Sequence, residues 1–389
     1  MRAYLDHAST SPLRPQARAA LLEWLSAADP GRVHTEGRMA RAALEEARTQ
    51  VATLFGTRPR QVIFTSGATE SIHAATYGAL AARPGPVVLA EVEHSAVRQT
   101  SQRWASEVIH IGVDPTGAVS ADAVADALRA RPDVTLVHSQ WANHEVGTIQ
   151  PVAEVAAACR AAGVMLHVDA AAAAGHVGIG FDETGVDLLS VSAHKMGGPA
   201  GIGALLVRRG LRVPPLIVGG AQERARRGGL EHVAGAAGFG AVAALLSSPP
   251  ADASGVPPGG PPSVLELEAG RARRQIDRLR QALGAVAGVD FYGPPQPERR
   301  LPHLVCLGVE GVEAEPVLIG LDRAGVAAHS GSSCSSESLE PSPVLQAMGV
   351  DAERSLRFSV GWSTTDAEIE AAGAAFPTVV EHLRRLGAR

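Results

Sequence analysis

One lysine, Lys195, sits in the run Ser190-Val191-Ser192-Ala193-His194-Lys195-Met196-Gly197-Gly198-Pro199, downstream of an aspartate that closes His167-Val168-Asp169. Small residues and glycines flank the amine, and no second charge stands beside it. A lysine placed this way sits close to backbone and out of water, which lowers its pKa and makes it a nucleophile. Such an amine condenses with an aldehyde, and a carboxylate one β-α unit earlier can keep a pyridine nitrogen protonated. Together they supply what pyridoxal phosphate chemistry needs.

Other residues acquire meaning beside this pair. Thr65-Ser66-Gly67-Ala68-Thr69-Glu70 follows the apolar Val62-Ile63-Phe64 and opens a helix; free N–H groups and hydroxyls there form an anion site, or an ordinary N-cap. His94, after the strand-like Val87–Ala90, would point into the crevice where parallel sheets bind ligands, unless it is a plain loop histidine. Asp169 itself could be a helix cap. Ser192 and His194 flank the lysine on a turn that could reach a phosphate. Arg357, in Ser355-Leu356-Arg357-Phe358-Ser359, could hold a carboxylate with its fork or serve a structural ion pair.

Of the three cysteines, Cys159 and Cys306 fall in apolar helical and strand-like runs and read as inert core thiols. Cys334 lies in Gly331-Ser332-Ser333-Cys334-Ser335-Ser336, which has no apolar periodicity and reads as an exposed loop. An exposed thiol is a liability unless it is used, so Cys334 is expected to be a nucleophile. Three cysteines build no disulfide framework, no two have zinc-ligand spacing, and no metal is expected.

These groups need a scaffold. From Ala17 to Leu246 short apolar runs (Val62–Phe64, Val87–Leu89, Val134–Val137, Met165–Val168, Asp187–Val191, Gly203–Val207) alternate with helical segments such as Arg38–Leu54, Ala121–Ala130 and Val152–Ala162. This predicts an α/β fold: a mostly parallel sheet covered by helices on both faces. Residues 247–263 are rich in proline and glycine and read as a linker. A charged helix over Leu265–Leu283 and further strand-like runs predict a second, smaller α+β unit. The expected division is residues 15–250 for the large unit, with 1–14 and 264–389 forming the small one.

The 389 residues are 46% apolar and carry a formal net charge of -5, which leaves no basic excess for nucleic acid. The apolar runs are too short to span a membrane, and the opening Met1-Arg2-Ala3-Tyr4 is no signal peptide. A cytoplasmic protein is expected.

Taken together, the motifs resemble the cysteine desulfurases, within the class V, fold type I family of pyridoxal phosphate enzymes. The matching segments include Tyr4-Leu5-Asp6-His7-Ala8, Thr65–Glu70, Glu93-His94, Glu145–Pro151, His167–Ala171, Ser192–Lys195, Gly219–Arg224, Gly331–Ser336 and Leu356–Ser359. The resemblance implies a large domain with a seven-stranded sheet and a homodimer with its active sites at the interface. Lys195 would bind the cofactor covalently, Asp169 would pair with its ring nitrogen, and His94 would stack on the ring. Ala68, Thr69, Ser192 and His194 would hold the phosphate. Arg357, with His144, would take the carboxylate of L-cysteine, and Cys334 would accept its sulfur as a persulfide. The sulfur would then pass to an acceptor protein, an iron–sulfur scaffold or a tRNA-thiolating enzyme, and alanine would leave.

Three positions depart from the family pattern. Ala172 replaces a glutamine and His144 an asparagine, both near the cofactor's phenolic oxygen; Leu230 stands where a threonine reaches across the dimer to the phosphate. The covalent groups are all kept, so a desulfurase is the leading reading. A carbon–sulfur or carbon–selenium lyase independent of Cys334 is the second, and a desulfurase-like binding partner with a degenerate cofactor site the third.

Overall fold

The computed structural model describes residues 2–249, 261–330 and 342–387. Its strands are β1 (Ala3–Tyr4), β2 (Val62–Thr65), β3 (Val87–Ala90), β4 (Val108–Ile111), β5 (Leu136–Gln140), β6 (Met165–Asp169), β7 (Leu188–Ser192), β8 (Gly203–Val207), β9 (Val289–Tyr292), β10 (Leu304–Val309), β11 (Val326–Ala327), β12 (His329–Ser330) and β13 (Ser355–Ser359). Seven of them form the central sheet in the order β2-β8-β7-β6-β5-β3-β4. All its pairings are parallel except those of β8, which runs against both β2 and β7.

Every residue of β2, β3, β5, β7 and β8 is buried. Strands covered on both faces read as continuous apolar runs rather than alternating ones, which is why they stand out in the sequence. Two readings shift. The run Val134–Val137 predicts a strand that instead occupies Leu136–Gln140, because its C-terminal half, His138-Ser139-Gln140, is polar yet buried. The edge strand β4 is only partly buried, with His110 exposed, and goes unannounced by an unbroken apolar run.

Helices cover both faces. Between strands of the sheet run α3 (Ala68–Ala82), α4 (Ser95–Trp104), α5 (Ala121–Ala130) and α6 (Val152–Ala162), while α1 (Pro15–Glu23) and α2 (Thr35–Leu54) precede it, and the short α7 (Phe181–Thr184) joins β6 to β7. After β8 comes α8 (Val233–Ser247), apolar almost all round and buried along its length. It packs on α2 so closely that a Cβ on Gly240 would stand 2.6 Å from Ala47 Cα.

A second core forms around the antiparallel sheet β12-β13-β10-β9 and the small parallel pair β1-β11. It is packed by α9 (Val264–Gly284), α10 (Ala314–Arg323) and α12 (Asp366–Gly387), with α11 (Pro343–Ala347) alongside the first core. The first strand thus joins the last third of the chain. At the bounds of the Pro/Gly-rich stretch, Ser247 ends α8 and Ser263 caps α9 in a capping box with Glu266. Val264 N–H donates to Ser248 at 2.9 Å, so the stretch leaves and returns at one point; residues 250–260 lie outside the described ones.

Candidate active site

A cavity of about 610 Å³ opens at the C-terminal ends of β2, β5, β6 and β7 and the N-terminal end of β8. Lys195, Asp169, His94, Ala68, Thr69, Ser192, His194, His144 and Arg357 all line it. The fold therefore gathers every expected site residue among those described.

Lys195 sits on a single 3-10 turn, Ala193–Met196, that follows β7. Its Nζ donates to the carbonyls of Ala8 at 2.6 Å and Ser9 at 2.9 Å. The loop after β6 tucks beneath this turn at Gly175, whose φ of +79° and 2.3 Å approach of Met196 Cβ to an added Cβ exclude a side chain. Lys195 is also the only lysine in the chain. That count alone removes any competing lysine, a signal the motif reading passes over.

Asp169 ends β6, and its Oδ1 accepts from Ala171 N–H at 3.0 Å. Glu93 is buried nearby and its Oε1 accepts from Gln140 N–H at 2.7 Å. Burial, then the charge of Asp169, pushes the Glu93 carboxyl up to about 8. His94 caps α4, its Nδ1 accepting from Ala96 N–H at 3.1 Å. A neutral His94 consequently keeps its proton on Nε2. The cap and the cavity-lining role coincide in one residue. His144 meets His94 edge to face, with ring centroids 5.0 Å apart.

The opposite end of the cavity is built for an anion. The first turn of α3 has no side-chain cap, because its N-cap is Gly67. Its N–H groups lack intrahelical partners and the helix dipole favours negative charge there. Thr69, Ser192 and His194 add side-chain groups. Glu70 would repel an anion, but Arg227 pairs with it at 2.9 Å. Burial pushes the Glu70 carboxyl up, and hydrogen bonds from Arg227 and Ser66 outweigh this and hold it low. His194 bonds Thr10 Oγ1 at 3.1 Å, and burial followed by the Lys195 charge lowers it to about 4.

Arg357 reaches the cavity from β13 and is 1% exposed. Its guanidinium donates to His144 O at 2.8 Å, Asp6 Oδ1 at 3.1 Å and Ser9 Oγ at 2.8 Å. Asp6 and Ser9 go unassigned by the sequence motifs; no local spacing links them to a strand some 350 residues later. Of the three departures, Ala172 and His144 line the cavity, and Leu230 does not.

Cys159 and Cys306 are buried, as expected, and burial raises both thiols, Cys159 to about 12. Neither is a thiolate at neutral pH. Cys334 lies outside the described residues. The chain before it, β12, pairs with β13 so that His329 faces Arg357. The chain after it resumes at Ser342, whose hydroxyl donates to Glu145 Oε2 at 2.5 Å beside His144. Among the described residues, no helix is long and apolar enough to cross a membrane.

Comparison with known proteins agrees with this geometry. The family model for class-V aminotransferases matches residues 3–372. The chain is 39% identical to an IscS-like cysteine desulfurase of Mycobacterium tuberculosis, over 98% of this chain and 97% of the other. It is 36% identical to cysteine desulfurase IscS of Dictyoglomus turgidum, over 98% and 95%. Its fold superposes on a NifS-like protein from Rickettsia africae with a TM-score of 0.86 at 26% identity, covering 98% of this chain and all of that one.

Proposed function

The chain belongs to the class-V aminotransferase family, and from that we propose that it is a cysteine desulfurase, converting L-cysteine to L-alanine and passing the sulfur on through Cys334. The observation that carries the reading is one cavity holding the only lysine, an aspartate at a strand end and an uncapped helix N-terminus.

Enzymes of this family use pyridoxal phosphate, and the donor set fits it. The α3 N-terminus with Ala68, Thr69, Ser192 and His194 would hold the phosphate, Asp169 the ring nitrogen, and Lys195 the aldehyde carbon. When bound, the cofactor supplies an electron sink for charge developing at the substrate α-carbon.

The chain's own residues do the rest. Arg357, placed by Asp6, Ser9 and the His144 carbonyl, binds the carboxylate of L-cysteine. Lys195 takes the α-proton and returns it. His94, its Nδ1 held by Ala96 N–H, would stack on the ring and offer Nε2–H as a hydrogen-bond donor to the substrate. Cys334 attacks the substrate sulfur: a sulfur–sulfur bond forms, the carbon–sulfur bond breaks, and its electron pair stays on the β-carbon, which takes the proton given up by the Cys334 thiol to become the methyl of alanine. The enzyme is left with a persulfide, and an acceptor protein, a scaffold or a tRNA-thiolating enzyme, removes it. The anchoring of His329 opposite Arg357 and of Ser342 on Glu145 supports this use of the intervening thiol.

The reading extends to a cytoplasmic homodimer with two units, residues 15–250 and residues 1–14 with 264–389. Exposed apolar side chains support the dimer: Val33 and Met39 around the start of α2, and Val218 and Leu230 on the segment tied to α2 by Arg41 and Glu231. Two hydrophobic cores support the division.

The test is alanine formed from L-cysteine with a thiol reductant, by wild type and Cys334→Ala. Alanine from wild type that falls at least 100-fold in the variant supports the reading. Undiminished turnover by the variant would replace it with a lyase.

A further inference from the structure

Residues two apart on a strand share a face and lie about 6.6 Å apart along it. Gln140, Asp169 and Ser192 line the cavity from β5, β6 and β7. Two residues beneath them, on the same face, come His138, His167 and Ser190, all buried. Such positions in a parallel sheet ordinarily carry Val, Ile or Leu, and a polar group there is costly unless it is bonded. Here every one is bonded. Ser190 Oγ lies 2.8 Å from His167 Nε2, His167 Nδ1 lies 2.8 Å from His138 Nδ1, and His138 Nε2 lies 3.2 Å from Thr76 Oγ1 on α3. Thr76 Oγ1 in turn donates to the carbonyl of Ile72, which lines the cavity, at 2.8 Å.

The direction of this chain follows from its end. Thr76 has one hydroxyl proton and spends it on Ile72, so it accepts from His138 Nε2. Burial keeps both rings neutral, lowering His138 to about 3 and His167 well below the usual range. Neutral His138, protonated on Nε2, accepts at Nδ1. His167 must then carry its proton on Nδ1 and accept at Nε2 from the Ser190 hydroxyl. The two rings therefore hold opposite tautomers. The chain ends on a carbonyl, which passes no proton onward, so it is no relay.

We infer that Ser190, His167, His138 and Thr76 form a one-way hydrogen-bonded floor whose function is positioning: it sets the distance between the α3 end of the cavity and Asp169. The inference rests on the cofactor reading above. Phosphate held by α3 and ring nitrogen held by Asp169 are two ends of one rigid molecule, so their spacing decides how well both contacts form together.

Nitrogen-15 NMR of histidine-labelled, cofactor-loaded protein tests the tautomers, with His138→Phe and His167→Phe giving the assignments. The expected result is an Nε2–H ring for His138 and an Nδ1–H ring for His167; two rings of one tautomer overturn the floor. The double variant His138→Leu/His167→Leu separates positioning from mere stability. Removing both partners of a buried hydrogen bond can be nearly neutral for stability. The inference expects the apoprotein's melting temperature to recover relative to the single variants. The pyridoxal phosphate dissociation constant is expected to remain about tenfold above wild type. Recovery of both to wild type overturns positioning alone. No binding by wild type overturns the cofactor reading and this inference with it.

Discussion

The guanidinium of Arg357 donates to the main-chain carbonyl of His144 across 2.8 Å. This bond joins a strand of the second core to the loop that follows β5. It also means that the backbone at residue 144 helps hold the guanidinium that we propose anchors the carboxylate. Arg357→Lys loses the fork that reaches three acceptors at once and weakens the ion pair with Asp6, which keeps the Ser9 hydroxyl. We expect kcat/KM for L-cysteine to fall about 100-fold, equal to roughly 3 kcal/mol at 1.4 kcal/mol per tenfold. His144→Ala keeps the carbonyl and should change KM less than tenfold. Steady-state alanine production measures both.

Ala172 lines the cavity where the family pattern places a hydrogen-bonding glutamine. One restored neutral hydrogen bond contributes about 0.5–1.5 kcal/mol. Ala172→Gln should therefore tighten pyridoxal phosphate binding between about twofold and tenfold. Titration of the apoprotein followed by cofactor absorbance reads it; unchanged affinity would mean residue 172 makes no contact.

Glu93 gives a pH signature. Its carboxyl is raised to about 8 in the folded protein, first by burial and then by Asp169, against an ordinary value near 4.5. Between those values the unfolded chain has lost the proton that the folded chain keeps, so this group's contribution falls as pH rises. Glu93→Gln keeps an oxygen for Gln140 N–H and removes the titration. Urea denaturation should show the variant gaining on wild type as pH rises from about 4.5 to 8, with no further gain above. A constant difference across that window would contradict it.

Arg48 and Glu223 form a fully buried ion pair at 2.6 Å. It anchors three successive non-glycine residues at positive φ, Glu223 (46°), Arg224 (58°) and Ala225 (60°). Left-handed backbone costs about 1–2 kcal/mol per residue, so something must hold it. Glu223→Ala leaves the Arg48 charge buried and should destabilise by about 3–5 kcal/mol, measured by the same denaturation.

The sheet is legible because its strands are buried on both faces and so spell unbroken apolar runs. Legibility fails where the site begins. The strand β5 carries His138, Ser139 and Gln140 at its cavity end, and polar residues there hide its true span. The cofactor-site candidates stand out by local context: a lysine among glycines, an aspartate closing a strand. Their supports do not. Asp6 and Ser9 reach Arg357 from the far end of the chain, and His138 meets His167 only through strand register, which no single run displays.

The central claim, that Lys195 holds pyridoxal phosphate in this cavity, has a direct test. Borohydride reduction of the loaded protein fixes the cofactor to whichever amine binds it, and the chain offers only Lys195 and the amino terminus. Trypsin cuts after unmodified lysine and arginine, so a labelled Lys195 leaves the peptide Ala161–Arg208 intact, while an unlabelled one splits it after residue 195. We predict that the intact peptide carries the cofactor's mass. A split peptide, with the label on the amino terminus or absent, would contradict the claim.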